Sequence, residues 1–268
     1  MSARMPVVFV SHGAPDALLK SPDTVACWRE IGNAISEPAA ILVISAHWEA
    51  RLPTVSLADA PETIHDFSGF SPELYRMQYR APGAPALAER IVSLLSTAGF
   101  AVDRHPSRGL DHGAWVPLSA MYPQANVPVM QLSLVRNAST ATNFALGKAL
   151  VSLRDEGVLI IASGAITHNF AWLDWHAQSD TQFPPAHIFT DWVATKLADQ
   201  DVSALLNYRS APYGAEAHPS EEHLLPLLVA MGAADGDASV RYRPHFAYGG
   251  LSMDAYLWRD SAKARRNK

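Results

Sequence analysis

Imidazole is the side chain this sequence over-uses. The 268-residue chain has eleven histidines and one cysteine, Cys27, against about six histidines expected at this length. A single cysteine excludes a disulfide framework and any Cys-rich zinc or iron–sulfur cage within one chain. A transition metal would therefore have to be held by imidazole, with carboxylate as the other choice. His12 stands in Ser11-His12-Gly13-Ala14-Pro15, His47 in Ser45-Ala46-His47-Trp48-Glu49 and His168 in Ser163-Gly164-Ala165-Ile166-Thr167-His168-Asn169. Leu110-Asp111-His112-Gly113-Ala114-Trp115 puts an acid beside an imidazole, and Asp111 is suited to orient a histidine ring from behind. Ala217-His218-Pro219-Ser220-Glu221-Glu222-His223 holds two more histidines, spaced to reach one site from the start of a helix. The His-Glu-x-x-His motif of zinc proteases is absent, as are a Gly-x-Ser-x-Gly nucleophile elbow and a phosphate-binding Gly-x-x-x-x-Gly-Lys loop. Cys27, beside Trp28 in a helix-like stretch, reads as a small buried residue.

These residues need elements to position them. Residues 6–10, 40–46, 127–134 and 157–164 are short β-branched apolar runs without polar alternation, the pattern of strands buried on both faces. Helical stripes lie between and after them. Residues 85–98 carry Leu87, Ile91, Leu94 and Leu95 behind Pro85, and residues 140–154 carry Phe144, Leu146, Leu150 and Leu153 with Ser139 or Asn143 as cap. Residues 185–199 and 220–231 are further helices, the second capped by Ser220 with Glu221 and Glu222 at its positive end. The alternation predicts a single α/β domain over residues 1–268, with a central, mostly parallel sheet flanked by helices. His12, His47 and His168 all follow strands, and ligands of open α/β sheets bind outside the carboxyl ends of the strands. Stretches 52–84 and 207–219 are irregular, and the first is long enough to cover a site. It holds His65, a candidate substrate contact. His105, His176 and His187 read as surface or interface residues, and His245 sits on a possible late strand just before Tyr248.

The rest of the composition narrows the class. The hydrophobic share is 49%, enough for a large core and too high for a disordered chain. A net charge of −5 gives no electrostatic reason to bind nucleic acid or an anionic membrane. The basic tail at about 260–268 reads as solvated and frayed. Residues 1–10 lack the pattern of a secretory signal, and no apolar run reaches the roughly 18 residues a bilayer span needs, so the expected location is cytoplasmic.

Taken in order, the segments around His12, His47, Asp111-His112, His168 and His218–His223, with Ile64-His65-Asp66-Phe67-Ser68-Gly69-Phe70, resemble the class III extradiol ring-cleaving dioxygenases. The likeness is to the branch acting on catechols such as DOPA, and it spans nearly the whole chain. It implies one α/β domain, a mononuclear non-haem Fe(II) centre, and a small aromatic diol and O2 as reactants, on a monomer or small homo-oligomer. By resemblance His12 and His47 are metal ligands, His168 the acid–base catalyst and His112 a histidine near the substrate. The third ligand is expected to be His223, with Glu222 and His218 as rivals. Adjacent residues on a helix diverge by about 100°, so Glu222 and His223 are not expected to ligate together. His218, His65, Trp48, Asp111 and Tyr248 are expected around the substrate, with Trp115 and Phe67 walling the ring pocket.

Three imidazoles in place of two and a carboxylate leave a more positive ion, which favours a catecholate. Zn(II) would also fit three histidines, without the redox change that dioxygen chemistry needs. A zinc-dependent hydrolase on the same scaffold is the alternative reading, and a metal-binding module without catalysis a third.

Overall fold

The computed structural model describes residues 4–177 and 183–260, so nearly all of the expected basic tail lies outside the described residues. The central sheet has six strands: β1 (Val7–Ser11), β2 (Ala40–Ser45), β3 (Val129–Gln131), β4 (Val158–Gly164), β5 (Ser239–Tyr242) and β6 (Ala255–Trp258). Their order across the sheet is β3-β2-β4-β1-β6-β5. The first four run parallel. β6 pairs antiparallel with β1, and β5 antiparallel with β6.

The continuous apolar runs follow from burial on both faces. Val7 and Phe9 of β1, Leu42 and Ile44 of β2, and Ile160 and Ala162 of β4 enter one core. Val8 and Val10, Ile41 and Val43, and Leu159 and Ile161 enter the other. Strand side chains alternate faces, so a sheet with two cores has no polar register. Four helices supply apolar side chains to the first core: α2 (Pro85–Thr97), α4 (Thr140–Ala149), α5 (Pro184–Ala198) and α6 (Leu225–Ala234). α1 (Pro22–Asn33) and α3 (His112–Met121) supply the second. This is an α/β fold with a central, mostly parallel sheet between helices. Among the described residues no helix is long and apolar enough to cross a membrane.

Several boundaries differ from the sequence expectation. Of residues 127–134 only Val129–Gln131 joins the sheet, and Leu134–Val135 instead pairs with Glu49–Ala50. Ser139 rather than Asn143 caps α4, its side chain accepting from the Thr142 amide. The helix expected from Ser220 starts at Leu225, where Pro226 sets the first turn. Ser220 caps nothing; its hydroxyl donates to Glu222 Oε1 at 3.0 Å. Residues 220–224 form a turn instead, and that turn delivers His223.

Candidate active site

β2, β4 and β1 are neighbours in the sheet, so the segments leaving their carboxyl ends emerge side by side. His12 directly follows β1, His47 stands two residues after β2, and His168 four residues after β4. The segment bearing His223 is laid across the end of β4. The Ala165 amide donates to the His223 carbonyl at 2.8 Å, and the His12 amide donates to the Gly164 carbonyl at 3.0 Å. A Cβ at position 164 would lie 2.1 Å from the His223 carbonyl oxygen, so only glycine lets the two backbones meet. Gly113, at the start of α3, leaves room for side chains instead: a Cβ there would fall 2.4 Å from Ser45 Oγ and 3.1 Å from His47 Cδ2.

The rings meet above these backbones. One ring nitrogen each from His12, His47 and His223 lies within 4.8 Å of the other two. Two further groupings pass the same distance test, His47 with Asp66 and His112, and His168 with Glu222 and His223. The hydrogen bonds behind the rings separate these possibilities. The Ser163 hydroxyl donates to the Gly113 carbonyl at 2.5 Å, so at His12 Nδ1, 2.9 Å away, Ser163 Oγ must accept. His12 therefore carries its proton on Nδ1, and Nε2 presents a bare lone pair. His223 Nδ1–H donates to Glu222 Oε1 at 2.9 Å, and His112 Nδ1–H to Asp66 Oδ1 at 2.9 Å. His47 Nδ1 faces Asp66 Oδ2 at 3.5 Å. Both carboxylates are thus engaged by ring N–H groups, as outer partners of metal-binding histidines are. His12 Nε2, which carries no proton, stands 3.1 Å from His47 Nε2. Two ring nitrogens converging at that distance can share a cation, so the donor set suits a divalent metal.

Burial keeps these rings neutral. It drives His12 well below its ordinary value, helped by the surrounding histidines. Burial lowers His47 to about 4 and His223 to about 3, although the Asp66 and Glu222 carboxylates pull the other way. His168 is lowered as well, mainly by burial. Against the burial that would raise it, the hydrogen bond from His112 holds the Asp66 carboxyl at about 2. Neutral imidazole is the form that binds metal.

A cavity of about 250 Å³ opens over this cluster, walled by His12, His47, His112, His168 and His223 together with Phe67, Phe70 and Tyr248. His168 stacks face to face on His223, with ring centroids 3.5 Å apart and planes within 9°. The other expected pocket residues are placed elsewhere. His218 is fully buried between Phe189 and Tyr208, with Nε2–H donating to the Ile166 carbonyl at 2.8 Å. It braces the loop that carries His168 and does not reach the cavity. His65 turns to the Met77 carbonyl at 3.0 Å, and Trp48 packs under the Arg108 guanidinium. Trp115 is fully buried, its indole donating to the Ile64 carbonyl at 3.0 Å.

Asp111 also lies behind the wall, where it caps α3 through the Ala114 amide. It accepts from Ser45 Oγ at 2.7 Å, Gln131 Nε2 at 2.8 Å and Arg108 Nη2 at 3.1 Å. Its hold on His47 runs through the backbone, since the His47 amide donates to Ser45 Oγ and Arg108 donates to the His47 carbonyl. The sequence reading did not single out Phe70, Phe170, Leu173 or Trp175, which also line the cavity. Nor did it give Asp66 a role. Phe170 opens a three-residue 3-10 helix, Phe170–Trp172, and the other four lie in irregular segments; in neither does a periodicity mark a residue as inward-facing.

The fold and the site together define a class III extradiol, ring-opening dioxygenase. Residues 5–256 match the family described as the catalytic LigB subunit of aromatic ring-opening dioxygenase, and the chain belongs to that family. Within it the chain falls in the DOPA-type branch. It is 40% identical over 242 residues to the 4,5-DOPA dioxygenase extradiol of Escherichia coli (strain K12), covering 89% of each chain. To the 4,5-DOPA dioxygenase extradiol of Beta vulgaris it is 46% identical over 232 residues, covering 84% of this chain and 85% of the relative. The crystal structure of an uncharacterized protein from Escherichia coli K12 superposes with a TM-score of 0.80 at 35% identity, covering 95% of this chain and all of the other.

Proposed function

We propose that this enzyme opens the ring of a catechol-type, DOPA-like substrate with O2 at a mononuclear non-haem Fe(II) held by His12, His47 and His223. The observation that carries this reading is the convergence of three ring nitrogens within 4.8 Å at the floor of an aromatic cavity. Bound there, divalent iron supplies a positive centre for the diol oxygens and the electrons that activate dioxygen.

The chain's own residues do the rest. His168, on the cavity wall and kept neutral by burial, takes a proton from a ring hydroxyl and returns it as the ring opens. His112, with its proton fixed on Nδ1 by Asp66, offers Nε2 as an acceptor that orients the diol. Phe67 and Phe70 border the ring and exclude water. Asp66 and Glu222 sit one layer out and keep the rings in the binding tautomer. The reaction is assigned to the cytoplasm, without nucleic acid or membrane partners, in keeping with the net charge of −5.

The test is anaerobic reconstitution with Fe(II), followed by air and a catechol panel that includes DOPA. A yellow ring-opened semialdehyde is expected. Metal-loaded protein that opens no catechol in the panel sinks the reading. Zinc is expected to bind the same three histidines and to support no ring opening.

A further inference from the structure

The loop that carries His168 is held from two sides. On one side the bonds run to residues 217–223. The Ala165 amide donates to the His223 carbonyl at 2.8 Å, the His168 amide to the Ala217 carbonyl at 2.9 Å, and His218 Nε2–H to the Ile166 carbonyl at 2.8 Å. On the other side Thr167 reaches residues 250–252. Its hydroxyl donates to the Gly250 carbonyl at 2.8 Å and accepts from the Ser252 amide at 2.9 Å. Thr167 and Ser252 are fully buried. Threonine is stiff at χ1, so a hydroxyl bonded twice fixes the backbone that bears it.

What Thr167 grips is a wall of the cavity. Phe246–Ala247 and Leu251–Ser252 form a short antiparallel hairpin. Its turn holds Tyr248 and Gly249 at left-handed φ values of 52° and 69°. Tyr248 and Leu251 line the cavity, as His168 does. Gly250 lies against the Trp172 carbonyl, where a Cβ would fall 2.3 Å from the oxygen. Thr167 therefore precedes His168 in the chain and bonds both neighbours of Leu251. It does not itself line the cavity. A shift of this loop moves the His168 ring relative to the opposite wall, and a misplacement of about 1 Å can cost about 100-fold in rate.

We propose that Thr167 is a positioning residue: its hydroxyl clamps the His168 loop to the hairpin wall, and ring opening depends on the placement of His168 that the clamp sets. The inference rests on the ring-opening reading and on His168 as its acid–base residue. Its rival is a hydroxyl that serves stability alone.

Thr167→Val keeps the side chain's shape and leaves the Gly250 carbonyl and the Ser252 amide unpaired. Thr167→Ala also lacks the hydroxyl and leaves space, so it stands in where the valine variant does not fold. Thr167→Ser keeps both bonds. In the iron-loaded enzyme Thr167→Val should lower kcat about 10- to 100-fold and move KM by less than about three-fold. Thr167→Ser should stay within about three-fold of wild type. In a His168→Ala background the valine substitution should cost less than about two-fold further in kcat, because the residue it positions is already gone. An equal cost with and without His168 overturns the proposal in favour of stability alone. Amide hydrogen exchange of the metal-free protein, read by mass spectrometry, gives a measure independent of turnover. Thr167→Val should speed exchange in residues 164–172 and 246–253, and Thr167→Ser should not. Unchanged exchange in Thr167→Val also overturns the proposal. If the wild-type enzyme opens no catechol, or His168→Ala keeps its kcat, the reaction reading or the role of His168 fails instead, and exchange still decides whether the clamp exists.

Discussion

The Asp66 carboxylate holds His112 at two points, accepting at 2.9 Å from both its backbone amide and its ring Nδ1. Its second oxygen faces His47 Nδ1 at 3.5 Å. One side chain from an irregular loop thereby ties a predicted metal ligand to a predicted substrate contact. Asp66→Asn keeps the shape but replaces one acceptor oxygen with a donor. Ring opening is expected to fall about 10- to 100-fold, the usual cost of losing such an outer partner. Near-UV circular dichroism should stay that of the folded enzyme. Undiminished kcat/KM in the variant would show that the tautomer is set by something else.

The proposal that His223 is the third ligand is supported by the direction of one hydrogen bond. Glu222 accepts from His223 Nδ1–H, so the carboxylate faces the back of the ring and His223 Nε2 faces forward. His223→Ala should abolish stoichiometric metal in elemental analysis. Glu222→Gln should keep the metal and weaken it by about 10- to 100-fold. The reverse ranking would make Glu222 the ligand.

How much of this was readable beforehand depends on whether a residue's surroundings are local. β1, β2 and β4 are legible because burial on both faces removes polar residues from a short stretch. His12 and His47 are legible because they follow those strands. His223 was placed near the site for an imperfect reason. Its segment is a turn laid over Gly164, not the first turn of a helix, and nothing in the local sequence reports that distant backbone contact. His218 shows the opposite failure. Its neighbours in sequence are site residues, but its ring is turned into the core to hold the Ile166 carbonyl. Asp66 and Trp175 come from irregular segments and Phe170 from a three-residue 3-10 helix, and no local periodicity reports which way any of them faces.

On the proposed reading His168 moves a proton and His12, His47 and His223 hold the metal; the His168 ring lies flat on that of His223. His168→Ala should retain metal at the wild-type ratio while kcat falls by roughly 100- to 10,000-fold. Loss of metal in this variant would reassign His168 to the ligand set.

Folding stability should depend on pH in the acid range. Burial lowers the pKa of His218 from its ordinary 6.5 to about 4. Between those values the unfolded chain binds a proton that the folded chain refuses. Stability is therefore full above about pH 6.5 and declines as pH falls toward about 4, by up to about 3 kcal/mol for this residue. His47 and His223, also lowered by burial, act in the same direction. Urea unfolding of metal-free protein between about pH 7 and about pH 5 should show the decline. His218→Gln retains a donor for the Ile166 carbonyl without titrating, and should make it shallower. An unchanged slope in that variant removes His218 from the account.

Gly164 offers the sharpest link between backbone packing and metal binding. It lies at the end of β4 with its α-carbon against the His223 carbonyl, and an added methyl group would stand 2.1 Å from that oxygen. Both partners are backbone, so a side-chain rotation cannot relieve the clash; one strand end or the other must shift. Gly164→Ala is expected to cost about 1–3 kcal/mol of stability, as overpacking does. The shift should move His223 relative to His12 and His47, which are carried on the neighbouring strands. Metal affinity should then fall about ten-fold or more, beyond what the stability loss alone produces in a protein still folded at the assay temperature. Measuring Kd by competition with a chelator, alongside urea unfolding of the metal-free variant, separates the two effects. Lost stability with unchanged affinity would mean that His223 is positioned by its own turn and not by its seat on Gly164.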